Sequence, residues 1–330
     1  MNKKALLWTA GIASLLAVTF ITGWDSIADI WSGIAPVTLA AVLAILFALQ
    51  TATMAMTAYQ WHVLLRKEDP SLRFRDVFQV HLAGNFVESV TPSSKLGGEA
   101  AKVYLFRRRS GMCYHDLTSL LLTHKYVSLL PFMTICAALL IAAPFLIVLP
   151  AAVYAAFVLL AIPLGLLAWS VERRPRASKI DNGPSPTGMR GRAMGAIRYL
   201  ETAASRSREL SPPAERRSLF LVSFAVWGLY PLKIFLVASV LGMDMSLTLV
   251  VAATYAAYLV SMLPLTPGGL GAFEGTLALL LSFNGVPFAA GMAVALMART
   301  VTFWFPLLIS SVAALALLQR ADGRRTLNEI

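Results

Sequence analysis

Seven charged residues of this 330-residue chain lie within or beside long apolar runs: Lys95, Glu99, Lys102, Lys125, Lys233, Glu274 and Arg299. A lone charge at the centre of a bilayer costs roughly 2.5–3.5 kcal/mol on insertion scales, so such residues pair with one another or line a polar cavity. The two glutamates occupy matching positions. Glu99 closes Thr91-Pro92-Ser93-Ser94-Lys95-Leu96-Gly97-Gly98-Glu99, and Glu274 closes Thr266-Pro267-Gly268-Gly269-Leu270-Gly271-Ala272-Phe273-Glu274. In both, a Thr-Pro pair precedes the glutamate by eight positions with a glycine pair between them. Proline removes a backbone donor, and glycine permits positive φ and close helix approach. Each stretch therefore reads as a helix break at membrane depth, tolerated only against protein or a water-filled cavity. The helix after each break would offer N-terminal N–H groups, a positive end suited to an anion such as a lipid phosphate.

The elements that hold these breaks follow from hydropathy. The chain is 58% hydrophobic and 14% charged, with mean hydropathy +0.70, whereas soluble domains carry about 25% charged residues. It is an integral membrane protein. The net charge of +11 sits in loops between apolar runs, the positive-inside pattern, and not in a basic domain for nucleic acid. Full spans are expected at about 5–22, 36–62, 115–143, 144–170, 218–241 and 287–318, each near the 20 residues that cross a bilayer. The first, after Lys3-Lys4, has no convincing signal cleavage site before Trp24-Asp25 and is expected to be retained. Residues 24–35 read as an outer loop, and Ala142-Ala143-Pro144 as the break between two spans. Two shorter pairs, 77–109 and 246–284, read as re-entrant hairpins whose limbs each cover about half a bilayer.

Loop 171–217 carries eleven Lys and Arg residues and is expected to be cytoplasmic. Ala193, Ile197, Leu200 and Ala204 recur within it at helical spacing, which fits a helix on anionic headgroups or a solvated linker. Both termini fall on the cytoplasmic side of a cell inner membrane. The fold class is thus an all-α polytopic membrane protein, six full spans plus two re-entrant helical hairpins.

An offset of 175 superposes the two Thr-Pro-to-Glu stretches, and an offset of 174 then brings Lys125 onto Arg299 (299 − 125 = 174). Each unit, about 36–143 and about 211–318, reads as long span, broken hairpin, long span with an internal basic residue. The units begin on opposite faces, so the repeat is inverted, a transporter design with its site at the midplane. Residues 1–330 form one membrane domain.

Candidate site residues are Thr91, Pro92, Ser93, Ser94, Lys95, Gly97, Gly98, Glu99 and Lys125 in the first unit. The second unit contributes Thr266, Pro267, Gly268, Gly269, Gly271, Glu274 and Arg299. The glutamates could face one another, or each could pair with a cation such as Lys125 or Arg299. They could form a headgroup pocket or a salt-bridge network that fastens the hairpins. Lys102 and Arg107 to Arg109 read as interfacial snorkellers, and Lys233 fits either an interfacial or an interior position. Cys113 and Cys136 have no metal spacing and read as small buried hydrophobes. His62, His81, His115 and His124 read as hydrogen-bond partners and not ligands. No nucleophile elbow, Gly-rich phosphate loop or zinc-protease motif occurs, so no cofactor is expected; proton coupling is left open.

Pro92 with Gly97-Gly98-Glu99-Ala100, the Arg-rich end and Gly111 resembles the lysylphosphatidylglycerol synthase transmembrane family. Leu263-Pro264-Leu265-Thr266-Pro267-Gly268-Gly269-Leu270-Gly271-Ala272-Phe273-Glu274 resembles its second signature, and the likeness covers about 5–318. That family includes the flippase half of the multiple peptide resistance factor and stand-alone members. The resemblance implies a domain that moves phospholipid, sometimes aminoacylated, between leaflets. These 330 residues contain no aminoacyl-transferase domain, so lipid aminoacylation is not expected of them, and a polyprenyl, hopanoid or glycolipid substrate fits equally well. The expected function is a lipid flippase. Its alternatives are a membrane enzyme of lipid-linked sugar or phosphate chemistry, with Glu99 or Glu274 as base, or a scaffold acting through loop 171–217. Membrane lipids are the expected partners, with lipid-synthesis enzymes and a second copy of the chain as further candidates.

Overall fold

The computed structural model describes residues 24–91, 96–146, 209–263 and 266–328, with scattered positions between 150 and 207. Every regular element among them is helical. The first expected span (5–22), about half of the fourth (144–170) and the stripe Ala193, Ile197, Leu200 and Ala204 lie outside the described residues.

Among the described residues, four segments are long and apolar enough to cross a membrane. Helix α2 (Pro36–Arg66) starts on a proline at its first position, where the missing N–H has no partner to lose. Helix α5 spans Tyr114–Leu146, and α6 spans Pro213–Val240, again opened by proline. The fourth is Phe288–Leu317, which comprises α9 (Phe288–Arg299), a π turn (Thr300–Trp304) and the start of α10 (Phe305–Asn328). Pro306 accounts for the π turn: its ring cannot approach the Thr302 carbonyl one turn back, so the helix widens before it. Apolar side chains on these helices face outward, among them Ile45, Ile141, Leu221, Leu308 and Val312, as a lipid-bathed surface requires.

The breaks fall where Thr-Pro predicts them. Helices α3 (Phe74–Val90) and α4 (Leu96–Ser110) form the first pair. Helices α7 (Leu247–Ser261) and α8 (Ala272–Phe283), joined through a 3₁₀ turn (Pro267–Gly269), form the second. Their lengths correct the half-bilayer expectation. Limbs of 17, 15, 15 and 12 residues rise roughly 18–26 Å, against a hydrocarbon core of about 30 Å.

Two further boundaries and one burial differ from expectation. Residues 24–35 contain α1 (Trp24–Ser32), whose Ile27 is buried against Ala278, Met292 and Ala293; tertiary packing supplies the helix that the short segment could not sustain alone. Helix α5 continues through Ala142-Ala143-Pro144 to Leu146. Cys113 is exposed, while Cys136 is buried as expected.

Helices α2 and α6 pack against each other. Gln50 contacts Lys233, Gln60 contacts Ser223, and Lys67 contacts Glu215, so rising numbers on one helix meet falling numbers on the other. The two helices run antiparallel. Helix α3 packs along α10 and against the 3₁₀ turn of the second break, which brings the two hairpins together.

Candidate functional site

In the second hairpin, Gly268, Gly269 and Gly271 all have positive φ (60°, 68° and 79°), a region open mainly to glycine. A Cβ on Gly268 would also lie 2.2 Å from the Phe303 ring, so the turn fits against the π turn only without a side chain. The tight chain reversal places Glu274 at the third position of α8, 1% exposed. One oxygen accepts the Gly271 N–H at 2.7 Å, and the other accepts Arg299 Nε at 2.7 Å. Arg299 also donates from a terminal nitrogen to the Gly268 carbonyl at 2.7 Å and lies over the Phe273 and Phe303 rings. Thr266 donates to the Leu270 carbonyl at 2.7 Å.

The helix end expected to receive a ligand anion thus receives the protein's own carboxylate. Each of its oxygens has a partner, and the guanidinium spans the turn. The geometry is a clamp.

The first hairpin uses the same parts in another arrangement. Helices α3 and α4 are antiparallel and touch backbone to backbone: a Cβ on Gly98 would meet Glu88 Cβ at 2.5 Å and the Gly84 carbonyl at 2.7 Å. Gly84 leaves the groove in which Lys102 lies; a Cβ there would sit 2.2 Å from Lys102 Cγ. Lys102 is therefore not an interfacial snorkeller. It is 2% exposed, with Nζ 3.2 Å from Glu99 and 3.7 Å from Glu88. Lys125 reaches the same Glu99 oxygen at 2.8 Å. Thr91 donates back to the Val87 carbonyl at 2.8 Å and closes α3. Pro92, Ser93, Ser94 and Lys95 lie outside the described residues.

Around this cluster the polar groups are not all satisfied. The second Glu99 oxygen, both ring nitrogens of His124, Nδ1 of His81 and Nε1 of Trp61 have no hydrogen-bond partner among the described protein groups. All four residues are buried. Trp61 stacks on His124 with ring centres 4.7 Å apart, and His81 holds Asn85 through Nε2 at 3.1 Å. Four helices, α2 to α5, each contribute one of these residues.

Of the sequence candidates, the structure joins Glu99 to Lys125 and Glu274 to Arg299, the pairing of equivalent residues. Gly97 and Gly98 lie in the first turn of α4. His81, Gly84, Glu88, Lys102 and His124 were not among the site candidates. A signal for them was present in part, since His81, Asn85 and Glu88 interrupt an apolar run at one-turn spacing.

The third intramembrane feature is Lys233, 1% exposed, with Nζ 2.6 Å from Gln50 Oε1 and 3.2 Å from Thr53 Oγ1. Its nitrogen lies 4.4 Å from the centre of the Tyr230 ring. This settles its position in favour of the interior. Among the described residues, no group of three His, Cys, Asp or Glu side chains could hold a metal ion.

The family model for the lysylphosphatidylglycerol synthase TM region matches residues 7–310. The chain belongs to that family. A UPF0104 membrane protein of Methanothermobacter thermautotrophicus is 23% identical over 320 residues, covering 92% of each chain. The UPF0104 membrane protein PH1989 of Pyrococcus horikoshii is 24% identical over 279 residues, covering 78% of this chain and 82% of its own. In this member of the lysylphosphatidylglycerol synthase transmembrane family, both motif glutamates are ion-paired inside the helix bundle. Among the described residues, several polar atoms around the first have no hydrogen-bond partner, while near the second the Tyr258 hydroxyl, beside Phe273, has none.

Proposed function

We propose that the chain is a lipid carrier, moving a phospholipid or another lipid with a charged headgroup between leaflets of the cell inner membrane. The carrying observation is the unsatisfied polar junction of Trp61, His81, Glu99 and His124 beside Lys102 and Lys125. Buried polar groups without partners cost about 1–3 kcal/mol each and are normally satisfied by water or a ligand. A headgroup phosphate can take the lysines from Glu99 and accept from the indole and imidazole N–H groups. Acyl chains would remain in the surrounding lipid, against the exposed apolar side chains of the spanning helices.

The second hairpin has a different part in this reading. Its Glu274–Arg299 clamp holds the break closed and gives the moving half a rigid counterpart. The antiparallel α2 and α6 support an inverted repeat, and α3 touching the second break supports one site shared by two re-entrant hairpins. The chain acts here as a carrier rather than an enzyme, with both termini cytoplasmic.

The test is translocation of fluorescent phosphatidylglycerol and other labelled phospholipids in vesicles containing the purified chain. Glu99→Gln keeps the shape and removes the charge. Its translocation rate should fall roughly ten- to hundredfold, the scale of about 1.5–3 kcal/mol for a hydrogen bond to a charged group. Wild-type vesicles that move no member of a broad lipid panel would overturn the carrier reading.

A further inference from the structure

The contact between α2 and α6 carries a series of polar groups, with buried Leu64 and Leu219 lying between Gln60 and Lys67. At the basic end Lys67 pairs with Glu215 and donates to the Leu210 carbonyl; with Tyr59, His62, Val63 and Arg66 they line a cavity of about 430 Å³. Further in, Gln60 donates to Ser223 Oγ at 2.5 Å and to the Leu219 carbonyl at 3.0 Å. Thr57 and Thr53 follow, linked by a 2.9 Å hydrogen bond from the Thr57 hydroxyl to the Thr53 carbonyl. The series ends at Lys233, held by Thr53 and Gln50. Positions 50, 53, 57, 60 and 67 share one helix face.

Lys233 differs from the other buried cations. Lys102, Lys125 and Arg299 each have a carboxylate partner. The acceptors of Lys233 are a neutral amide and a neutral hydroxyl. A neutral amine has two N–H bonds for these two acceptors, and an ammonium turns its third toward the Tyr230 ring face. Both protonation states are accommodated without moving another charge.

We propose that the α2–α6 seam is a proton-access path and that Lys233 is its terminal proton-binding group, reached from the cavity at Lys67 and Glu215. In the binding step the Nζ lone pair takes a proton from water arriving along the seam. An N–H bond forms, a water O–H bond breaks, and hydroxide returns to the bulk. Release reverses the step.

The groups facing Lys233 are few. Helix α2 presents Gln50 and Thr53, and α6 itself presents Tyr230, whose ring meets Tyr258 of α7 at 4.7 Å. Helices α5, α7 and α9 meet α6 through the apolar cluster containing Phe132, Val250, Val294 and Ile234. Use of this proton to drive lipid movement rests on the carrier reading; proton binding itself does not.

The test uses the full chain in lipid nanodiscs with ¹³C at the lysine ε-carbons. The signal lost in Lys233→Met identifies Lys233. It should move as bulk pH is varied over the range in which the chain stays folded; an immobile Lys233 signal would overturn the proton site. Gln60→Leu should leave the shift intact but slow the response to a pH jump several-fold, read from the Trp227 fluorescence component lost in Trp227→Phe. Ser223→Val serves the same purpose if the first variant does not fold, and an unchanged rate would reject the path. A Lys233 that fails to titrate in a chain that moves lipid removes the proton site alone. A chain that titrates but moves no lipid removes the carrier reading alone.

Discussion

Two glutamates at equivalent positions have been given different work by their neighbours. Glu274 has a partner on each oxygen, and one of these, Arg299, is itself buried. Glu274→Ala therefore leaves a buried guanidinium uncompensated, and a loss of about 3–5 kcal/mol is expected from thermal or denaturant unfolding in detergent. Glu99 has both cations on a single oxygen and unpartnered polar atoms beside it. Glu99→Gln should leave the chain folded and reduce translocation, as proposed above. If Glu274→Ala unfolds no more easily than Glu99→Gln, the division between clamp and junction is wrong. The sequence shows both glutamates and both downstream cations at matching offsets. It does not show which oxygen each cation takes, because that depends on where α4 and α8 begin relative to α5 and α9.

At the scale of elements, the hairpins depend on close backbone approach. Gly84→Ala on α3 would put a Cβ 2.2 Å from Lys102 Cγ. The lysine stem must leave its groove, and Lys102 should part from Glu99. The expected outcome is a destabilisation of about 1–3 kcal/mol, the scale of overpacking in a close-packed interior. Much of it should be recovered in Gly84→Ala/Lys102→Ala, and a double-mutant cycle measures the coupling. Additive losses would mean that Lys102 does not rest on Gly84. The breaks themselves were legible in the sequence as Thr-Pro and paired glycines. Gly84 was not, because a lone glycine in a helical pattern carries no label for the neighbour that needs its space. The π turn was likewise hidden, although Pro306 is its cause.

Across the whole molecule, the antiparallel α2–α6 contact sets the two units against each other. With the basic ends on the cytoplasmic side, a cysteine introduced near Arg108 should react with a membrane-impermeant thiol reagent only from that side. One near Asn284 should react only from the other. Reaction of both from one face would reject the inversion, whatever the chain transports. The exposed Cys113 must be replaced first, since it reacts on its own account.

Composition and hydropathy determined by themselves that this chain lives in a membrane as a bundle of helices, because a bilayer leaves the backbone few other ways to satisfy its N–H and C=O groups. The Thr-Pro-to-Glu spacing and its repetition determined where the helices break and which charges are equivalent. These are local or periodic properties, carried by the order of residues along one chain. Tertiary structure decided the rest. It buried Lys102 beside Glu99, closed the second break with Glu274 and Arg299, and drew Gln50, Thr53 and Tyr230 around Lys233. It also left ring nitrogens of Trp61, His81 and His124 without hydrogen-bond partners among the described residues around the first break. Most of these outcomes join residues from different helices, and the energy of a buried charge or an unmade hydrogen bond depends on what the neighbouring helix brings to it.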